Sequence, residues 1–302
     1  MCEVFKSLSI GEKIKLSVCS KRVSTQINNA RLYSQKVKVV LDMFSDKIEV
    51  HSEKSKDTFG IFIRFNTGKI TDIDIQQCHI EGVTVPVTTE PTKIMTFWEN
   101  YREGFLSSIR HLLKMFQCKI STDSSTYNND FYKSIIPVLF NLQVEFKTLT
   151  IHLNGSKNDN LLWNKISSNF ELVEDLRILS VANPRFIPVF ISWPQNIDVF
   201  SSAWFTLKSL LTCTSTTISL WNSHLKNEDL DEVLRKWKAG GFPNLEYLLV
   251  DSLSVTNNET TILGMNLMEL NGMVIQTDDG TKKATISKID SQIIEISVTS
   301  FK

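Results

Sequence analysis

Cys78 and His79 stand side by side, and an adjacent thiol and imidazole could begin a zinc site or pair a nucleophile with its base. On a strand, however, neighbouring side chains point to opposite faces, and no second Cys or His lies at zinc-ligand spacing from the pair. The five histidines, His51, His79, His111, His152 and His224, are scattered, and none falls in a zincin or nucleophile motif. The densest carboxylate group is Glu228, Asp229, Asp231 and Glu232. As paired acids these residues would suit acid/base work or cation binding. Their spacing fits a helix N-terminus better, because Asp231 and Glu232 each precede a base, Arg235 and Lys236, by four residues. Glycines number only 11, with neither G-x-G-x-x-G nor a P-loop, so the usual phosphate cradle is missing. The expectation is a non-enzymatic chain that uses no metal and no cofactor.

The aromatic residues point to recognition instead. Four of the six tryptophans, Trp193, Trp204, Trp221 and Trp237, fall within 45 residues, and tryptophan is enriched at interface hot spots. Trp237 closes the apolar face of a helix and is expected to be buried. Trp193, beside Pro194 in a loop-like SWPQN, is the candidate contact for a target. An exposed Trp193 lining a groove would support that role, and a fully buried one would remove it.

The elements that position these residues are clearest from Thr217 to Asp251. Thr217 to Trp221 is β-leaning, and Asn227 stands where a helix N-cap belongs. Leu230, Val233, Leu234 and Trp237 then keep helical spacing, and Gly240, Gly241 and Pro243 end the helix. Leu245 to Val250 is almost wholly apolar, as expected of a strand covered on both sides, so two parallel strands with a helical crossover are predicted. Similar strand-like segments start near Leu149, Leu176, Ile197, Thr217 and Leu245, spaced about 20 to 28 residues apart, within the range of leucine-rich-type repeats. Helical pieces lie between several of them, at Leu161–Phe170 and Trp204–Leu211. From Met273 alternating segments return, and a terminal β-meander is expected to cover the last open edge of the array.

Upstream, Val37 to about Val87 shows period-two alternation in VKVVLDM, KIEVHSE, FGIFIRFN, ITDIDI and VTVPV, predicting an antiparallel meander with one solvated face. Asn66-Thr67-Gly68 is expected to turn a hairpin between two of these strands. Trp98, Tyr101, Phe105, Ile109, Leu112, Leu113 and Phe116 predict an amphipathic helix that covers the buried face of the meander or meets a partner helix. The polar run Ser121–Asp130 is a candidate seam, and residues 3–30 read as helical.

Thirty-three basic residues balance thirty-three acidic ones, so no global field draws nucleic acid or an anionic membrane. The start MCEVFKSLS has no apolar core of a signal peptide, and no segment approaches the roughly 20 apolar residues of a membrane span. Five scattered cysteines fit a reducing compartment. The expectation is an intracellular protein, cytoplasmic or nuclear, with no nucleic-acid and no membrane partner.

Two stretches resemble known modules. VFKSLSIGEKIKLSVCSKRV (residues 4–23) resembles the later part of an F-box, the helical module that docks on a Skp-type adaptor of a cullin ubiquitin ligase. The leading Leu-Pro pair is missing, so the module reads as truncated, and Val23 stands where many F-boxes carry tryptophan. By this resemblance Val4, Phe5, Leu8, Ile14, Leu16 and Val18 match the apolar F-box positions, some for packing and others for the adaptor. The competing reading is an amphipathic cap on the next domain. Further on, W-x-x-L-x-x-L-L (Trp204 to Leu211), I-x-L (Ile218 to Leu220), DLDEVLRKWKAG and LEYL resemble the nematode-type F-box-associated domain, type 2, over Pro184 to Ser252. The resemblance implies an α+β chain in three parts. Residues 1–34 would be a partial, helical F-box, and 35–120 an antiparallel β-meander with a packed helix. Residues 121–302 would form irregular leucine-rich-repeat-like α/β units closed by a β-meander. It also implies a substrate-recruiting subunit that binds a Skp-type adaptor, through it a cullin ligase, and an unidentified target protein. The alternative is a protein-binding module that has lost ligase docking with the truncation.

Overall fold

The first described helix is fixed at Ser9, in a computed structural model that describes residues 7–29, 37–52, 57–68, 74–122, 130–181, 188–256, 260–290 and 292–301. The Ser9 hydroxyl accepts from Glu12 N at 3.2 Å and Glu12 Oε2 accepts from Ser9 N at 2.7 Å, a reciprocal capping box that starts α1 (Ile10–Cys19). Ile10, Ile14 and Val18 recur every four residues and are buried. Gly11 shares their face, and a methyl group there would come within 2.5 Å of the Phe59 ring, so glycine permits the close approach of α1 to the sheet. Helix α2 (Lys21–Asn29) follows. Both fall in the stretch expected to be helical, while Val4 and Phe5 lie outside the described residues.

The chain forms two compact units, Met1–Lys147 and Thr148–Lys302. The expected seam at 121–130 lies upstream of this division. In the first unit β1 (Val37–Asp42), β2 (Lys47–Ser52), β3 (Thr58–Phe65), β4 (Gln76–Ile80), β5 (Val83–Thr89), β6 (Lys93–Trp98) and, after helix α3 (Tyr101–Phe116), β7 (Ile120–Thr122) take the order β7-β1-β2-β3-β6-β5-β4. Phe59, Ile61 and Ile63 are buried while Gly60, Phe62 and Arg64 are half-exposed, so the sheet has the one solvated face that alternation predicts.

It is not the simple antiparallel meander expected. β3 pairs in parallel with β6 (Gly60 with Lys93) and β1 in parallel with β7 (Val39 with Ile120). The physical reason is the path after β3. Gly68 takes φ +69° and donates its N–H to Asn66 Oδ1 at 3.1 Å, a tight local turn, but no hairpin closes there. The chain instead reaches the outer strand β4 and returns through β5 to β6, and two antiparallel steps leave β6 parallel to β3. A hairpin turn forms instead between β4 and β5 at Glu81-Gly82, with both residues at positive φ. Of the expected strand ITDIDI, residues 70–73 lie outside the described residues, and Asp74 and Ile75 precede β4 without pairing. Trp98 ends β6 rather than opening a helix; α3 begins at Tyr101, where the Asn100 side chain accepts from Glu103 N at 3.1 Å. Phe105, Ile109, Leu112 and Phe116 on α3 are buried as their spacing predicts. Helix α4 (Asp130–Asn141) brings Phe131 edge-on to Phe105 at 5.4 Å.

The second unit matches its sequence pattern closely. Its strands are β8 (Phe146–Leu153), β9 (Val173–Val181), β10 (Asn196–Phe200), β11 (Thr217–Ser223), β12 (Tyr247–Ser252), β13 (Val274–Gln276), β14 (Lys282–Asp290) and β15 (Ile293–Ser300), in the order β8-β9-β10-β11-β12-β15-β14-β13. β9 to β12 are mutually parallel. β15 closes the open side of β12 in antiparallel register, and β14 and β13 extend it, as a terminal meander should. Helices α5 (Lys157–Ile166), α6 (Leu207–Thr212) and α7 (Asn227–Lys238) lie between successive strands, and α8 (Leu267–Leu270) precedes β13. Helix α7 ends as predicted at Gly240, with φ +85°.

Its beginning is different. Asn227 is the first helical residue and not the cap; Asp229 supplies the cap by accepting from Lys226 N at 2.8 Å. The buried Asn227 amide instead clamps the loop after β12, donating to Thr256 O at 2.8 Å and Thr260 Oγ1 at 3.0 Å and accepting from Thr256 N at 3.2 Å. Only the Asp231–Arg235 member of the two expected ion pairs forms, at 2.6 Å, because Lys236 turns to the Leu211 carbonyl and the Phe242 ring. Among the described residues no helix is long and apolar enough to cross a membrane. Asn227→Ala should strand the Thr256 N–H and lower the unfolding free energy by about 2–3 kcal/mol in urea titration, whereas loss of a mere cap would cost about 1 kcal/mol.

Candidate protein-interaction surface

Alternation along β9 to β12 divides the second unit's sheet into two faces. Leu176, Ile178, Ile197, Val199, Ile218, Leu220, Leu248 and Val250 are at most 1% exposed. The apolar stripes of α5 and α7, Leu162, Trp163 and Ile166 with Leu230, Val233, Leu234 and Trp237, are buried in the same unit. The opposite face carries mostly polar and aromatic side chains, with the buried Leu249 among them, in rows set by strand register. One row runs Asp175, Asn196, Thr217, Tyr247 and Ser297, and the next Arg177, Asp198, Ser219, Leu249 and Glu295. Phe200 and Trp221 pair in the third, their rings parallel within 13° and 6.3 Å apart.

Hydrogen bonds hold this face in shape. Asn196 Nδ2 donates to Asp175 Oδ1 at 2.8 Å, and Trp221 Nε1 donates to Asp198 Oδ1 at 3.0 Å. Burial pushes the Asp198 carboxyl above its ordinary pKa, against the opposing pull of the Trp221 N–H and Arg177. Asp175, Arg177, Asn196, Asp198, Thr217 and Ser219 line a shallow depression of about 260 Å³. Such a surface offers donors, acceptors and two flat rings, which suits binding to another polypeptide.

Trp193 lies apart from these rows and is half-buried, between the two outcomes that would decide its role. It stacks on Phe190 at 4.1 Å, and Phe190 in turn meets Trp163 edge-on at 5.0 Å. Trp163 Nε1 anchors the loop by donating to Val189 O at 2.8 Å, and Ser215 Oγ donates to Pro194 O at 2.8 Å. Val189 and Ile191 remain 69% and 67% exposed beside this cluster. Among the adaptor candidates, Ile14 and Val18 are buried in the first unit and Leu8 is half-buried, while Leu16 is 40% exposed. Val4 and Phe5 lie outside the described residues.

Cys78 is buried and His79 exposed, on opposite faces of β4. Asp231 accepts from Leu263 N at 2.7 Å as well as from Arg235. Among the described residues no group of three or more His, Cys, Asp or Glu could hold a metal ion.

One constellation escaped sequence reasoning because its members are far apart. Ser17 Oγ lies 2.7 Å from His111 Nε2, and Glu81 Oε1 lies 3.9 Å from His111 Nδ1, beside a cavity of about 600 Å³. The order Ser–His–Glu resembles a hydrolytic triad, but the imidazole lacks its orienting partner. His111 Nδ1 is 3.9 Å from Glu81 Oε1, too far for a hydrogen bond, and Ser17 Oγ also lies 2.7 Å from the Ile14 carbonyl. This is a buried clamp between α1 and α3. Burial holds His111 below its ordinary pKa of 6.5, Glu81 pulling the other way and Lys114 adding to the depression. The unfolded chain then binds the extra proton more readily, so this contribution to stability is present above pH 6.5 and is lost as pH falls toward the folded-state pKa. Urea midpoints at pH 7.5 and 5.5 should show that loss, and His111→Gln should make the difference smaller.

A protein-family model described as F-box associated matches residues 189–250. The match covers β10, α6, β11, α7 and most of β12, and it meets the expectation of an F-box-associated type 2 domain in this stretch. No curated protein and no solved structure matches the chain significantly.

Proposed function

We propose, from the F-box-associated match at residues 189–250, that this chain is a substrate-recognition subunit of a Skp–cullin–F-box ubiquitin ligase. The F-box-associated family acts in protein–protein interaction, and the single observation that carries the proposal is that the match falls on a sheet whose one face is sealed by apolar packing while the other is polar, aromatic and open. In this reading residues 1–34 are the F-box region and 35–120 a spacer. The nematode-type F-box-associated domain lies within 121–302, and its repeat-like strands hold an unidentified target on the open face, with Trp193 as a flanking contact. The chain performs no bond chemistry and works in the cytoplasm or nucleus.

A second reading has one observation in its favour. Among the described adaptor candidates, Ile14 and Val18 are consumed by packing in their own unit, leaving Leu16 as the exposed one. A module so depleted would bind targets without reaching the ligase.

Pull-down with purified Skp-type adaptors separates the two. The native chain should be retained, and Leu16→Asp or Phe5→Asp should weaken retention at least about tenfold, the effect of one interface hot spot, with an unchanged circular dichroism spectrum. No retention of the native chain would favour the second reading. Independently, Ser219→Arg places a bulky charge at the centre of the open face. It should remove the targets recovered by proximity labelling with the native chain while adaptor binding is unchanged. Recovery of the same targets would move recruitment off this face.

A further inference from the structure

Cys19 is the last residue of α1 and is exposed; Cys78 sits in the middle of β4 and is 1% exposed. Their sulfurs lie 4.0 Å apart across 59 residues of sequence. We propose that the two form an oxidative modification site, in which a hydroperoxide oxidises Cys19 and Cys78 closes a disulfide onto it.

The asymmetry of the pair sets the order of events. A small solute oxidant meets Cys19 first, because Cys78 is shielded beneath the end of α1. Burial, reinforced by the neighbouring Cys19, pushes the Cys78 thiol up to about 12, so it stays protonated and is a poor first nucleophile. In the first step the Cys19 thiolate attacks one peroxide oxygen: an S–O bond forms, the O–O bond breaks, and the leaving oxygen takes up a proton as water or an alcohol. Cys19 is then a sulfenic acid. In the second step the Cys78 sulfur attacks the Cys19 sulfur: the S–S bond forms, the S–O bond breaks, and hydroxide leaves as water with the Cys78 proton. Together two thiols lose two electrons and two protons, and the peroxide is reduced by the same two electrons.

The geometry is within reach of this product. A disulfide needs its sulfurs at about 2.05 Å, so they must approach by about 2 Å. Cys19 is the terminal helical residue, and the Ser20 that follows is already extended (φ −152°, ψ 120°), so rotation at Cys19 need not unwind an interior turn. The bond would tie the end of α1 to β4 and close a long loop, which stabilises against unfolding. Because α1 carries the exposed Leu16, oxidation would also fix the helix that presents it.

The test treats the full chain with hydrogen peroxide, caps remaining thiols with N-ethylmaleimide, and analyses a non-reduced digest by mass spectrometry. A linked Cys19–Cys78 peptide lighter by two hydrogen atoms, reversed by dithiothreitol and accompanied by a higher thermal midpoint, is the expected result. Cys78→Ser should leave Cys19 oxidation intact but trap it as a dimedone-reactive sulfenic acid, and Cys78→Ala repeats the comparison should the serine variant fold poorly. Native chain that accumulates Cys19 sulfinate without the link, or that links Cys19 to Cys118 instead, would overturn the proposal. So would dimedone labelling of Cys19 that is equal in native and Cys78 variants.

Discussion

One-sided burial is the constraint on which the rest of the second unit depends. β9, β10 and β11 send alternate apolar side chains into a core where they keep at most 1% of their surface, while β12 buries Leu248, Leu249 and Val250 in succession, as its continuous apolar run predicts. A slip of one residue in β10 would bury the Asp198 carboxylate and expose Ile197 and Val199, at the cost of an unpaired charge and two apolar side chains together. The register is therefore held tightly, and the register in turn composes the open face. Asp175 meets Asn196, and Phe200 meets Trp221, because their backbones are paired, not because either side chain seeks the other. A fixed open face is the geometric counterpart of a well-sealed core.

The same requirement has a different outcome in the first unit. The strand face bearing Phe59, Ile61 and Ile63 needs a cover, and α1 helps to supply it with Ile10, Ile14 and Val18, brought close by Gly11. A side chain buried under its own sheet cannot also be buried by a partner. Sequence resemblance alone leaves all six apolar positions free to serve either purpose. Packing takes Ile14 and Val18 into the unit's own core and leaves Leu16 exposed.

Several buried polar groups act as clamps between segments distant in sequence. Ser17 joins α1 to α3 through His111, and Ser252 Oγ lies within hydrogen-bonding distance of both Ser223 O and Leu225 O. Asn227 holds the loop after β12, and the Trp163 indole holds the one before β10. Each satisfies a group that would otherwise lose water without replacement. Clusters that imitate catalytic sites arise naturally from this requirement. At His111 the 3.9 Å separation from Glu81 sets the cluster apart from the hydrogen-bonded geometry of a triad.

Much of the second unit was legible in the sequence, because period-two and 3.6-residue apolar patterns are local properties of the chain. The five strand positions, the α7 stripe through Trp237, its stop at Gly240 and the closing meander all follow from spacing and turn residues. So did the family resemblance, which depends on the order of those same residues. Strand pairing in the first unit was not legible, since alternation states that Ile61 is buried but not that β3 lies beside β6. Asn227 looked like a cap because its partners Thr256 and Thr260 are about thirty residues away. For the same reason the open face, the Ser17–His111 contact and the approach of Cys19 to Cys78 appear only after folding. The sequence by itself determined which residues must leave water and in what rhythm. The tertiary structure decided which of them meet, because contacts between distant segments depend on the path of the chain and not on any local preference.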